Sequence, residues 1–174
     1  VPAMRAIPQP IVAAVNGPAY GGGMCLTLGA DVRLAAASAV FCGAGITNGL
    51  TGSELGVTYL LPRAVGTSHA AELLLTGRKV DAQEAARIGL VLRVVAQDDL
   101  LREAIALASE YAEIGPLMLR ETKQLLYRNC VEQDIGLVTR REGEAIARCT
   151  GSPEQREAIA AFREKRKPDF RSLR

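Results

Sequence analysis

The sequence predicts an α/β protein with its strands in the first part of the chain and a helical carboxy-terminal region. Three observations carry this. The first 60 residues hold only four charged side chains, Arg5, Asp31, Arg33 and Glu54, while the remaining 114 hold 36. Ten of the 17 glycines fall in the same 60 residues, as expected for strands covered on both faces and joined by tight turns. From Gly66 onward the apolar residues recur at helical spacing. With 48% apolar and 23% charged residues over 174 positions, the chain has the balance of a folded domain and not of a disordered one. A chain of this length buries roughly 70% of its unfolded surface.

Taken in order, Ile11 to Val15 is a short apolar run between Pro10 and Asn16-Gly17-Pro18, which reads as a buried strand leaving into a turn. Gly21-Gly22-Gly23 follows, and Met24 to Ala30 offers about two helical turns of small and apolar residues. Val32 to Ala36 and Ala39 to Cys42 read as two more strands. Thr67 is a candidate cap for a helix ending at Thr76-Gly77, and Asp81 with Glu84 makes an acidic capping box for a short helix stopped by Gly89. Leu90 to Val95 reads as a strand. Leu101, Ala104, Ile105, Ala108 and Tyr111 then mark a helix with Asp98 as candidate cap. Three further helices are predicted over 116–129, 134–149 and 153–165, two of them with proline in the first turn. The division expected is 1–97, the strand-bearing core, and 98–174, the helical region.

Charge excludes several function classes. Lys and Arg total 21 against 19 Asp and Glu, so no overall field draws the chain to nucleic acid or a membrane surface, and neither is expected as a partner. The uncharged stretches 6–30 and 34–53 are broken by prolines and glycines and do not read as membrane spans. Cys25, Cys42, Cys130 and Cys149 form no C-x-x-C pair, and the single histidine, His69, does not complete a zinc set with them, so no metal is expected. With no leader-like segment, the expected setting is reduced and cytoplasmic. The start at Val1 points to a fragment.

A strand, a turn, consecutive glycines and a helix start set several backbone N–H groups beside the positive end of a helix, where no side chain blocks approach. Such a segment serves an anion or a developing oxyanion, or equally lets a helix pack closely on a sheet. The wider string Ile11-Val12-Ala13-Ala14-Val15-Asn16-Gly17-Pro18-Ala19-Tyr20-Gly21-Gly22-Gly23, followed by Asp31-Val32-Arg33, closely resembles the signature of the enoyl-CoA hydratase/isomerase, or crotonase, family. Further matching segments lie downstream: Leu61 to Gly66 (LPRAVG), Leu75 to Arg78 (LTGR), Ala82 to Val91 (AQEAARIGLV) and Glu164 to Phe170 (EKRKPDF).

The resemblance implies a crotonase-like spiral of β-β-α turns with a helical carboxy-terminal region, assembled as a homotrimer or hexamer. It implies an enzyme acting on acyl-CoA thioesters, with no cofactor beyond the coenzyme A carried by the substrate. In the family, two backbone N–H groups stabilise the enolate formed from the thioester carbonyl, by preorganised electrostatics. The resemblance assigns one of them to Gly22, flanked by Gly21 and Gly23, and takes the other from a segment preceding residue 1. It also places two water-activating glutamates of typical hydratases at positions where this sequence has Cys25 and Ile46, so that isomerisation or a non-standard hydration is expected.

Glu54, in Gly52-Ser53-Glu54-Leu55-Gly56, resembles the position of a catalytic aspartate in dienoyl-CoA isomerase-like members, and it is the only acid between Asp31 and Glu72. A lone carboxylate in an apolar, glycine-rich loop is expected to have a raised pKa and to shuttle protons, and is equally suited to capping a helix or pairing with Arg63. Cys25, in the first turn of a helix, reads as a lowered-pKa thiol or as a small packed hydrophobe. Residues 162–174 carry six basic side chains against Glu164 and Asp169. This cluster, with Lys165, suits the phosphates of CoA and Phe170 suits stacking on its adenine, and the resemblance places this region near the nucleotide of its own or a neighbouring subunit; a solvated tail is the other reading. The competing function is a noncatalytic acyl-CoA-binding or assembly subunit.

Overall fold

The computed structural model describes residues 1–173; Arg174, counted above in the basic end, lies outside the described residues. The chain divides into two units, one made of Val1–Ile7 and Ile11–Leu107, the other of Pro8–Pro10 and the chain from Ala108 onward.

In the first unit, α1 (Pro2–Ala6) precedes β1 (Val12–Val15) and β2 (Pro18–Tyr20), and α2 (Gly22–Gly29) leads to β3 (Val32–Ala36) and β4 (Val40–Cys42). After a short 3₁₀ turn at Ile46–Asn48 come α3 (Val57–Val65), α4 (Thr67–Thr76), β5 (Val80–Asp81), α5 (Ala82–Arg87), β6 (Arg93–Val95) and α6 (Leu100–Ala112), whose last turn passes into the second unit. The strands fall in two sheets. β1, β3 and β6 are parallel neighbours, with Val12 beside Val32 and Leu34 beside Arg93. β2 and β4 are parallel, with Pro18 beside Val40, and β5 adds antiparallel to β4. The first two chain turns, β1–β2 and β3–β4, each lay one strand in each sheet with the second turn stacked on the first, as in the β-β-α spiral that the resemblance implies, and β5 and β6 then add to β4 and β3.

Alternation in β3 explains why Leu34, Ala35 and Ala36 are all apolar. Leu34 and Ala36 pack with Leu100 and Ala104 on one face, while Ala35 joins Phe41, Met24, Leu28, Leu61 and Leu73 on the other. The charge just before this strand and the one within it have structural roles. Asp31 Oδ2 accepts the Ile11 N–H at 2.6 Å, and Arg33 donates through Nε to Leu90 O at 2.7 Å and through Nη1 to Ala30 O at 3.0 Å.

Several expectations are corrected. α3 is not foreseen because Pro62 lies within it; proline removes a ladder hydrogen bond, yet Val57, Leu61 and Val65 bury one stripe and hold the helix. Gly66, not Thr67, caps α4. The strand expected from Leu90 is confined to Arg93–Val95, since Leu90 and Val91 close the α5 turn by donating their N–H groups to Ala85 O. α1 and β2 are additional elements.

The second unit contains α7 (Pro116–Asn129), α8 (Ile135–Cys149) and α9 (Pro153–Glu164). Asp134 caps α8 through the Gly136 and Leu137 N–H groups, and Ser152 caps α9 through the Gln155 N–H. Buried Glu121 of α7 ties to Arg148 of α8 at 2.7 Å and to Arg120 at 3.1 Å, and the Arg148 hydrogen bond is the main reason its carboxyl sits below the usual range.

Candidate active site

The glycine triplet occupies the end of β2 and the start of α2. Gly21 N–H donates to Cys42 O at 2.9 Å, extending the β2–β4 ladder by one residue. At φ 50° and ψ −120°, Gly21 then turns the chain sharply into the helix, a conformation an L side chain rarely adopts. Gly21 O accepts the Cys25 N–H at 3.1 Å. Among the described residues no acceptor takes the N–H of Gly22 or Gly23, so two first-turn donors stand free at the positive end of α2.

Glu54 is brought to this turn from the loop before α3. Leu55 at φ 47° and Gly56 at φ 88° bend that loop back on itself, and Glu54 O accepts the Val57 N–H at 2.9 Å. The same carbonyl accepts the Cys25 thiol at 3.4 Å, which fastens the loop to α2. The carboxylate lies over the glycines: a Cβ on Gly21 would stand 2.9 Å from Oε1, and one on Gly22 would stand 3.9 Å from Oε2. Among the described residues no hydrogen bond or ion pair engages this carboxylate. The expected alternatives for Glu54 do not hold. Gly56 caps α3, and the Arg63 guanidinium instead donates to Tyr59 O at 2.9 Å and stacks 3.6 Å from the Tyr59 ring. Glu54 itself is exposed.

Cys25 is 2% exposed. Burial first, and then the neighbouring Glu54 charge, push its thiol up to about 11. The lowered-pKa reading is thereby overturned, and Cys25 packs as a small hydrophobe with one hydrogen bond. Ile46 opens the 3₁₀ turn and is held against Gly77: a Cβ there would meet Ile46 Cγ2 at 2.8 Å, which the left-handed glycine at φ 65° avoids.

Lys165 and Phe170 belong to the second unit. Lys165 ends α9 in the left-handed region at φ 55°, exposed. Phe170 is half-buried and, with Met118, Cys149 and Ala158, lines a cavity of about 470 Å³. His69 lies exposed on α4, and Arg78 pairs with Glu72 at 2.8 Å and Glu84 at 2.7 Å. Among the described residues no group of three or more His, Cys, Asp or Glu is placed to hold a metal, and no helix is long and apolar enough to cross a membrane.

Two structural features, one in each unit, carry no sequence signal. The Cys25 thiol bond spans 29 residues, and Glu157, which meets Arg166 and Asp169, does so only because the chain reverses at Lys165.

The family model described as enoyl-CoA hydratase/isomerase matches residues 2–173. The chain is 46% identical over 170 residues to the Mycobacterium tuberculosis protein named probable enoyl-CoA hydratase EchA12, covering 96% of this chain and 59% of that one. Its structure resembles that of an enoyl-CoA hydratase from Bacillus anthracis, with TM-score 0.91, 36% identity and coverage of 96% of this chain and 64% of the other. It also resembles a structure described as a monofunctional enoyl CoA isomerase from M. smegmatis, with TM-score 0.73, 49% identity and coverage of 79% and 64%. The chain thus spans less than two thirds of the length of these relatives.

Proposed function

Because the chain belongs to the enoyl-CoA hydratase/isomerase family, we propose that it acts on acyl-CoA thioesters through an enolate, with double-bond isomerisation or a non-standard hydration as its reaction. The observation that carries this reading is the unpaired Glu54 carboxylate lying over Gly21 and Gly22, beside free backbone donors.

In this reading the thioester oxygen accepts the Gly22 N–H at the positive end of α2, with Gly21 and Gly23 leaving room for its approach. Glu54 takes a proton from the α-carbon, and the C–H electron pair moves into the enolate and onto that oxygen. The protonated Glu54 then returns the proton to the γ-carbon while the electron pair re-forms the thioester carbonyl and shifts the double bond. One mobile acid–base group suffices for this transfer. Cys25 and Ile46 line the acyl side. Cys25 is supported as a lining residue and not as a water activator by its burial and its tightly held proton. The likeness to the M. smegmatis isomerase supports the isomerisation branch. Lys165 and Phe170 are assigned to the nucleotide end of CoA, and homotrimeric or hexameric assembly in the cytoplasm belongs to the same reading.

The test is exchange of α-protons of a saturated acyl-CoA in D₂O. Glu54→Gln is expected to slow exchange by about 10²- to 10⁴-fold, the usual contribution of a general base, while CoA affinity stays within twofold. Undiminished exchange in this variant removes Glu54 from the mechanism.

A further inference from the structure

The turn after α9 is held by its backbone and by the Glu157 carboxylate. Lys165 in the left-handed region lets the Arg166 N–H return to Ala161 O at 3.0 Å, so the chain reverses against its own helix. The Arg166 guanidinium then runs back along α9 and grips Glu157 with two nitrogens, Nη1 to Oε1 and Nη2 to Oε2, the latter at 3.0 Å, while its Nε donates to Glu164 Oε2 at 2.6 Å. Glu157 Oε1 also accepts the Asp169 N–H at 2.7 Å. Asp169 in turn orders the following turn by accepting the Arg171 and Ser172 N–H groups at 3.1 and 3.3 Å. An isolated exposed ion pair contributes little. Here the geometry is bidentate and the same carboxylate also holds a backbone amide, so it fixes chain direction in a way a lone pair does not.

We infer that Glu157 is a positioning residue for the nucleotide end of the acyl-CoA: by holding Arg166 and the Asp169 amide it sets where Lys165 and Phe170 present themselves. This rests on the assignment of Lys165 and Phe170 to CoA made above. Phe170 follows the latched Asp169 amide directly in the chain, and Lys165 precedes the latched Arg166. Freeing the hook therefore leaves both residues in place chemically but disperses them over many conformations, which ligand binding must then restrict.

The experiment measures binding of CoA, and of pantetheine as the part lacking the nucleotide, to the protein and to Glu157→Gln, Arg166→Gln and Phe170→Ala. It also follows the Asp169 amide by NMR. Arg166→Gln opens the same latch from the exposed side and serves if Glu157→Gln does not fold. The expected result is a CoA affinity lowered about tenfold or more by either latch variant, pantetheine binding changed less than twofold, and an Asp169 amide resonance shifted in both. CoA affinity that falls in Phe170→Ala but is unchanged in both latch variants overturns the inference alone. CoA affinity unchanged in Phe170→Ala, or no CoA binding by the unsubstituted protein, overturns the assignment of the hook to CoA and the inference with it.

Discussion

Cys25 illustrates how a residue type is reinterpreted by its surroundings. Its place in the first turn of α2 favours a thiolate, but burial and the Glu54 charge act against ionisation and raise the thiol to about 11. The folded protein thus holds this proton more tightly than the unfolded chain, whose cysteine titrates near ~8.5. The corresponding stabilisation is complete below that pH and is lost as pH rises toward 11. Urea midpoints are therefore expected to fall between pH 9 and 11 by a larger step in the natural protein than in Cys25→Ala, which lacks the titrating group. At pH 8, iodoacetamide is expected to label exposed Cys130 and to spare Cys25, as read by peptide mass. Burial was one of two readings available from the sequence, and the choice between them depends on how the core encloses the thiol and on the charge of Glu54, 29 residues away.

At the scale of an element, the start of α2 combines a turn, two free donors and a carboxylate, and Gly21 is the residue on which they depend. Alanine there forces φ 50° and ψ −120° on an L residue, at a cost of about 1–3 kcal/mol, and places its Cβ 2.9 Å from Glu54 Oε1. Gly21→Ala is expected to lower stability in urea by that amount and to slow α-proton exchange at least tenfold by moving the carboxylate. Gly17→Ala, whose Cβ meets nothing within 4 Å and whose glycine keeps an ordinary φ, is the control and is expected to change neither. Elements whose ends carry their own chemistry were legible: α7 begins at Pro116, α8 follows the Asp134 cap and α5 follows Asp81, whose side chain accepts the Glu84 N–H. α3 was not, although Val57, Leu61 and Val65 recur every four residues, because Pro62 argues locally against a helix that burial of those residues sustains.

At the scale of the whole molecule, each unit rests on contacts between residues distant in sequence, and the first unit is organised by strands stacked one turn apart. Phe41 is fully buried in β4, between β2 and β5. Phe41→Ala is expected to cost about 3–5 kcal/mol, measured by urea unfolding, which suffices to unfold much of a marginally stable domain. The sequence by itself determined that the chain is α/β with a helical carboxy-terminal region, that a strand, a turn and consecutive glycines lead into a helix, and which family it resembles. These depend on composition, periodicity and short motifs, where neighbours along the chain are the interacting partners. Only the tertiary structure decided that Val12 lies beside Val32, that Glu54 rests over Gly21, that Cys25 is buried, and that Glu157 closes the turn after α9. In each case the energy belongs to a pairing that forms only after the chain has turned back on itself, and a carboxylate's role follows from what that turn sets beside it.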